Sequence, residues 1–536
     1  MPSANLNDRA DDDALAWPGR FRTPLFLVIF LLALVPVLSI PVLPTIDMYD
    51  HLARYFVLAH LDSVPFLRAN YQSGWAVLPN IGLDVIGCGL MKIIDPRYVP
   101  HIIVVGVFAT QYFGILFFNR QLTGRASLLV AVLTAPLLYS FIFTWGFANF
   151  LLGLGLVFWG GGAWLALRGR PLAATLVGCV LAVLIFLTHG VAFALYGLLL
   201  GAIEIGFFLS TSPRRPARLL ANLGLLALQA VVPIALFVMS ATSKSADGLT
   251  NADESVRRLA HKGQLLARLE RLVTYRLETI FRVAETPSPW FDALSFATAG
   301  ALLLLLIWRG RVGLARALWP AIALAILLVL IVPPTLFGVG YVADRMPLYL
   351  AFIVVGALTQ RRANDRLDLI CVAALVALVA VRTAYIGVEW QRYRGDAAAF
   401  AQAADIIPKN SVVTFVHAEN IRRLDPWPRC EMYGPLLVLA HDQAAPLFAF
   451  GSQQPIRLSG GLKAAAAGLP STNVETRTGA FLSDRLDVVV HQHLFDYVVI
   501  CDAEHLLRPL PAAGEVVAHV GRFTVLRTTR QAVRPG

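Results

Sequence analysis

Residues 23–43 read TPLFLVIFLLALVPVLSIPVL, and residues 44–54 continue PTIDMYDHLAR. The first stretch carries no charged side chain. At about 1.5 Å of rise per helical residue it is long enough to cross a hydrocarbon core of ~30 Å. The second stretch turns polar at once, with two carboxylates and an imidazole inside five residues, Asp47 to His51. This switch decides the reading of the chain: a membrane span that delivers a helix bearing reactive groups to the water–lipid boundary.

The rest of the chain agrees. Of 536 residues, 57% are hydrophobic and 15% charged, whereas soluble domains run at about 45–50% apolar and ~25% charged. The composition excludes disorder, a collagen-like repeat and a small disulfide scaffold. The apolar runs are solid rather than alternating, which excludes a porin-type barrel. The formal net charge of +11 does not imply a nucleic-acid partner. The arginines punctuate the gaps between apolar runs, as at Arg214, Arg215 and Arg218, at Arg309, Arg311 and Arg316, and at Arg361, Arg362 and Arg366, which is how topology signals are distributed. No cleavable leader is read at the start; the first run is expected to remain as an anchor.

Candidate spans fall at 24–43, 98–118, 126–143, 147–167, 172–188, 190–210, 219–241, 293–308, 316–334, 345–360 and 367–386. A further segment, 76–94, holds Pro79, Asn80 and Asp84 and ends at Lys92. If 76–94 stays out of the membrane, the arginine-rich loops all lie on the same side as the N-terminus. If it crosses, they all move outside, against the positive-inside bias. About eleven spans are therefore expected, with residues 1–23 cytoplasmic and 24–386 forming the membrane domain. Outer loops are then 44–97 and 242–292, and the tail 387–536 is an outer α/β domain. In that tail 411–417, 497–501 and 516–527 read as strands, the last a hairpin through Gly521, and 400–407 and 433–441 as helices. Cys430 and Cys501 could pair in an oxidising compartment, which the sequence leaves open. Cys88, Cys179 and Cys371 read as small buried hydrophobes.

After the first span, Thr45 is placed to cap a helix that starts near Asp47. On it Asp47, Asp50, His51 and Arg54 recur at i, i+3, i+4 and i+7 and share one face, with Met48, Leu52, Tyr55 and Phe56 opposite. Other polar residues map to the same level: Trp145 and Asn149 at the turn before the fourth span, His189 between the fifth and sixth, and Tyr341, Asp344 and Arg345 before the tenth. Ionisable groups at span ends are functional candidates because lipid makes them costly. Each has a structural alternative: Trp145 as an interfacial anchor, His189 as a hydrogen-bonded turn residue, Arg345 paired with Asp344. The loop 242–292 mixes arginines and glutamates at helical spacing and reads as one or two amphipathic surface helices, either folding over the site or purely structural, with the structural alternative favoured. There is no Walker-type phosphate loop, no H-E-x-x-H and no Cys/His set at metal spacing.

The acidic segment Asp47-Met48-Tyr49-Asp50-His51-Leu52-Ala53-Arg54 directly after the first span resembles the GT-C glycosyltransferases. So does the arrangement of two short helices, roughly 46–62 and 76–94, in the first outer loop, followed by many spans and a closing α/β domain. Residues 145–150 and 344–347 are similar to stretches of uncharacterised bacterial members. The motif is Asp-x-x-Asp-His rather than an adjacent acidic pair, which leaves Asp47 and Asp50 both open as the working carboxylate, with Asp47 favoured. The resemblance implies a polyprenyl-phosphate-linked sugar as donor, a lipid or glycan acceptor of the cell envelope, and inversion at the anomeric carbon. It implies Asp47 as general base, with Asp50 and His51 beside it. Arg54, Trp145, Asn149, His189, Tyr341, Asp344 and Arg345 would line the substrate. A divalent metal is left open. The expected location is the bacterial inner membrane, N-terminus cytoplasmic and C-terminal domain periplasmic. A transporter or flippase of an envelope precursor and a noncatalytic scaffold are the competing readings.

Overall fold

In a computed structural model of the chain, the described residues are 19–125, 127–240, 265–336, 339–361, 366–417, 430–441, 454–460, 462–463, 495–505 and 514–528. The first helix, α1 (Gly19–Leu38), leads to three short helices, α2 (Asp47–His60), α3 (Pro65–Asn70) and α4 (Gly82–Ile93). A helical bundle follows: α5 (Val99–Thr123), α6 (Leu128–Leu137), α7 (Phe141–Thr144), α8 (Ala148–Leu167), α9 (Pro171–Thr188), α10 (Gly190–Ser210) and α11 (Pro216–Met239). It is completed by α12 (Leu265–Phe281), α13 (Pro289–Trp308), α14 (Trp319–Ile331), α15 (Val342–Gly356) and α16 (Arg366–Gln391). Among the described residues, seven helices are long and apolar enough to cross a membrane, and α1, α6 and α14 supply shorter apolar stretches. The chain is a polytopic α-helical membrane protein.

The contacts between loops sort into two ends. At one end Arg168 and Asn222 both bond Glu204, Arg309 pairs with Asp368, and Asn119 donates to the carbonyls of Gly356 and Leu358. These are the loops that the arginine pattern groups with the N-terminus. At the other end α2, α7, the 282–288 segment and the last turn of α16 meet. Helices α11 and α13 keep most of their apolar surface outward, with Leu220, Val231, Val238, Leu294 and Leu304 exposed. In lipid such faces need no protein partner.

Two expectations change in detail. The segment 126–143 is not one helix: α6 stops at Leu137, just past Pro136, and α7 restarts at Phe141 behind Ser140, whose side chain accepts the Phe143 N–H. Proline has no N–H and clashes with the preceding turn; the break is sheltered, because Leu138, Tyr139 and Ser140 are all buried. Segment 76–94 holds only the twelve-residue α4, about 18 Å long and too short to cross. It lies against α2, where Gly87 allows an approach that a Cβ would block at 2.1 Å from the Tyr55 ring.

The C-terminal region is mixed α/β. After α17 (Arg394–Asp405), strands β4 (Val413–His417), β6 (Tyr497–Cys501), β8 (Phe523–Arg527) and β7 (Glu515–Val520) form one sheet in that spatial order. The β4–β6 pair is parallel and the others antiparallel, with the hairpin turning at Gly521, φ +55°. Numbering in chain order, β1 (Tyr71–Ser73) belongs to the first loop, and β2 (Val312–Leu314) pairs with β3 (Leu358–Gln360). Strand β5 (Ile456–Leu458) leaves the tail to pair antiparallel with β1. The tail is thus stitched to the first loop, and α18 (Leu436–His441) also packs on α2. Cys430 and Cys501 form a disulfide. The expected helix at 433–441 is shorter, starting at Leu436 after a 3-10 turn, Cys430–Tyr433. Helix α16 runs past 386 to Gln391, where it meets Ser39 at the end of α1.

Candidate functional site

Helix α2 begins at Asp47 without the expected cap. Thr45 Oγ1 makes no hydrogen bond among the described residues, and Ile46 precedes the first turn. The first N–H groups are satisfied by another part of the chain: Ile46 N–H donates to the Thr144 carbonyl at 3.3 Å and Asp47 N–H to the Trp145 carbonyl at 2.8 Å. A helix start leaves its amides unpaired until some acceptor meets them, and here the turn after α7 is that acceptor. Gly146 makes the docking feasible. Its φ is +88°, and a Cβ there would lie 2.4 Å from the Met48 nitrogen, a position closed to any L side chain.

The shared polar face of α2 forms as its spacing predicts. His51 Nε2 lies 3.0 Å from Asp47 Oδ2, and both side chains are partly open, at 19% and 25%. Asp47 Oδ1 takes no hydrogen bond among the described residues. Asp50 is half-buried in the same first turn. The face is less solvated than an amphipathic surface helix implies: Arg54 is 1% exposed, with Nε on Asp84 Oδ1 at 2.6 Å and Nη2 on His51 Nδ1. Its guanidinium is turned to these two groups. Asp84 is the residue that the spacing arguments miss; the signal for it is a carboxylate inside an otherwise apolar segment.

Arg345 stands across from this helix on α15. Phe150 links it to His189, whose ring meets the Phe150 ring edge-on at 5.3 Å. The guanidinium lies over the rings of Phe147, 4.8 Å, and Phe150, 5.3 Å. Arg345 is 3% exposed, and Nε and Nη1 have no hydrogen-bond partner among the described residues. It does not pair with Asp344, whose Oδ2 accepts from Tyr275 of α12 at 2.6 Å. The segment 265–288 therefore contacts this region. Within it, Glu285 accepts from Thr144 at 2.8 Å, and Arg282 bonds Glu285 and covers the Phe141 ring at 3.7 Å.

His189 is buried. Its Nδ1 accepts the Val191 N–H at 3.1 Å, which puts the proton of the neutral ring on Nε2. Burial, then the charges of Arg345 and His51, hold its pKa well below the usual histidine range. Tyr341 takes the left-handed conformation, φ +57°, and its ring packs 4.5 Å from Trp145 and 5.6 Å from Phe147. A non-glycine residue there costs about 1 kcal/mol or more, and the aromatic packing holds it. Trp145 thus sits in an aromatic cluster over the start of α2. Asn149 lies one step aside, donating to the Asn80 carbonyl at 3.1 Å in the approach to α4. The structure joins Asp47, His51 and Arg54 by hydrogen bonds, ties them through the Trp145 carbonyl to an aromatic cluster with Tyr341, sets Arg345 and His189 against Phe147 and Phe150, and bonds Asp344 to Tyr275 of α12.

Among the described residues, the His, Cys and carboxylate groups close enough to share a metal are Cys430, Cys501 and Asp502. The two cysteines are bonded to each other, so neither offers a thiolate.

No family model and no curated protein matches the chain. Several solved structures are similar to it. They include ArnT from Cupriavidus metallidurans bound to undecaprenyl phosphate, at 13% identity and a TM-score of 0.49, covering 97% of this chain and 100% of that one. Others are the mycobacterial arabinofuranosyltransferase AftD, 15% identical with a TM-score of 0.43 over 96% of this chain and 40% of that one, and the apo Archaeoglobus fulgidus oligosaccharyltransferase, 12% identical with a TM-score of 0.41 over 90% and 70%. All three are membrane glycosyltransferases of the GT-C superfamily.

Proposed function

We propose that the chain is a membrane glycosyltransferase that moves a sugar from a polyprenyl-phosphate donor to an envelope lipid or glycan acceptor. One observation carries this reading: an open carboxylate, Asp47, and a buried arginine with unsatisfied donors, Arg345, flank the same 145–147 turn, Asp47 through its N–H on the Trp145 carbonyl and Arg345 through its guanidinium over the Phe147 ring. Sugar transfer from a lipid phosphate can use both groups, a base for the acceptor hydroxyl and a cation for the departing phosphate. The acceptor hydroxyl attacks the anomeric carbon, the bond from that carbon to the phosphate oxygen breaks, and the electron pair leaves with the phosphate. Asp47 takes the hydroxyl proton. The free N–H groups of Arg345 meet the charge that grows on the phosphate, in a site where water competes little. Attack from the face opposite the phosphate inverts the anomeric centre.

The location follows the same reading. Arginine-rich loops gather at the far end of the bundle from Asp47, the end that the charge bias assigns to the cytoplasm. The Cys430–Cys501 disulfide suits an oxidising compartment such as the periplasm. The site then opens to the outer face of a bacterial inner membrane.

The test uses the purified chain in lipid nanodiscs with a panel of undecaprenyl-phosphate sugars and a bacterial envelope lipid and glycan extract as acceptor, following release of undecaprenyl phosphate by mass spectrometry. Asp47→Asn is expected to lower turnover by about 10²-fold or more while donor binding persists. Unchanged turnover in Asp47→Asn, with Asp50→Asn inactive, would move the base to Asp50. Absence of release from every donor would remove the transferase reading.

A further inference from the structure

The Asp47 carboxylate is one end of a chain of side chains that runs to a buried group on another helix. From the far end, Asp84 is 2% exposed and accepts from Arg54 Nε at 2.6 Å. Arg54 Nη2 reaches His51 Nδ1, and His51 Nε2 reaches Asp47 Oδ2 at 3.0 Å. A guanidinium has donors only, so the His51 nitrogen facing it must be an acceptor. The proton of the neutral ring is then on Nε2, and it points at Asp47.

We infer that Asp84 is a positioning residue for this site: by holding Arg54 against His51 it sets the His51 tautomer and aims that ring's N–H at one oxygen of Asp47, leaving the other free. The inference deepens the reading of Asp47 as the base and rests on it for its catalytic meaning; the tautomer itself does not.

Three features support it. The first is competition for a buried charge. Burial alone would lower the Arg54 pKa, but Asp84, by its charge and its hydrogen bond, with Tyr55 and more weakly Asp47, outweighs it and raises it. Arg54 is therefore a permanent cation between two carboxylates, bonded to the far one. Without Asp84, its remaining carboxylate is Asp47, and an ion pair there would occupy the oxygen that the reaction needs. The second is geometric. Only a forked donor can serve Asp84 and His51 at once, because Nε and Nη2 leave the same planar group. The third is the close seat of α4. A Cβ at Gly87 would come within 2.1 Å of the Tyr55 ring, and Cys88 Sγ donates to the Tyr55 carbonyl at 3.6 Å, which brings the Asp84 turn of α4 within reach of Arg54.

The test reads the tautomer directly, without a substrate. The full chain is labelled with ¹⁵N-histidine and purified in detergent, and the His51 ring signals are assigned by their loss in His51→Gln. The wild type is expected to show an unprotonated Nδ1 and a protonated Nε2. Asp84→Asn and Arg54→Lys are each expected to shift these signals toward an average of the two tautomers or to a doubly protonated ring. Arg54→Lys keeps the charge, so it serves where Asp84→Asn does not fold. A wild-type His51 protonated on Nδ1 overturns the inference, as does a pattern unchanged in folded Asp84→Asn. If Asp47→Asn keeps full turnover, the base assignment fails while the tautomer result stands, so the two failures are distinguishable.

Discussion

The backbone N–H of Asp47 donates to the carbonyl of Trp145 at 2.8 Å. The candidate base is therefore located by main chain from a distant turn and not by a cap of its own. That turn is in turn held by Glu285, which accepts from Thr144. The position of one carboxylate depends on three segments far apart in sequence, and on the packing that keeps them together.

Gly146 is the narrowest point of this arrangement. Gly146→Ala adds a Cβ to a residue at φ +88° that would sit 2.4 Å from the Met48 nitrogen. A cost of about 1–3 kcal/mol is expected, with loss of turnover exceeding the loss of folded protein, because Asp47 moves with the turn. Gly169→Ala, which meets open space, is the control and should stay within ~0.5 kcal/mol of wild type. Melting temperature in detergent and donor turnover, measured on both variants, check it.

Arg345 should act against stability and for binding. A buried cation with unsatisfied donors is costly to the empty fold. Arg345→Met is expected to raise the melting temperature while it weakens undecaprenyl phosphate binding by about tenfold or more. Arg345→Lys should weaken binding too, because a lysine has no fork. Native mass spectrometry with added undecaprenyl phosphate gives the affinity. A melting temperature that falls in Arg345→Met would show that the arginine serves the fold instead.

Arg382 and Asp292 form the converse case. They pair at 2.8 Å between α16 and α13, both shielded, and Arg382 also donates to the Ala284 carbonyl in the segment that carries Glu285. Removing either partner alone leaves a buried charge without its mate, at a cost of about 3–5 kcal/mol. Asp292→Asn and Arg382→Met should each lower the melting temperature strongly. The double variant should recover part of that loss, and a thermal double-mutant cycle measures how much.

His189 gives a pH signature. Its folded pKa lies below the ordinary 6.5 because burial, then Arg345 and His51, oppose the charged ring. Below pH 6.5 the unfolded chain binds a proton that the folded one refuses, so stability is full above that value and falls as pH drops. The melting temperature of wild type should therefore fall from pH 7 to pH 5 more steeply than that of His189→Gln. Parallel curves for the two would refute the assignment.

Much of the site was legible in one dimension. The i, i+4 spacing of Asp47 and His51 produces their hydrogen bond because helix geometry alone puts them together. The grouping of Trp145, His189, Tyr341 and Arg345 at one level followed from where the arginines fall. Arg54 was legible as a member of the face but not in its role. Its partner Asp84 lies on a separate helix, and no local pattern pairs two residues across a loop. The missing Thr45 cap has the same origin, since a tertiary carbonyl took the place that a side chain was expected to fill.

Read alone, the chain determined its membrane class, most of the apolar helices of the bundle and the shared polar face of α2. Those properties depend on hydrophobic run length and charge order, and both act along the chain. The tertiary structure decided which carboxylate holds Arg54, which carbonyl receives Asp47, how Pro136 divides one expected span, and that Cys430 meets Cys501. Each of these is a choice among long-range partners, and it is settled by burial: inside a packed bundle a polar group must find whichever acceptor or donor the neighbouring segment brings within about 3 Å.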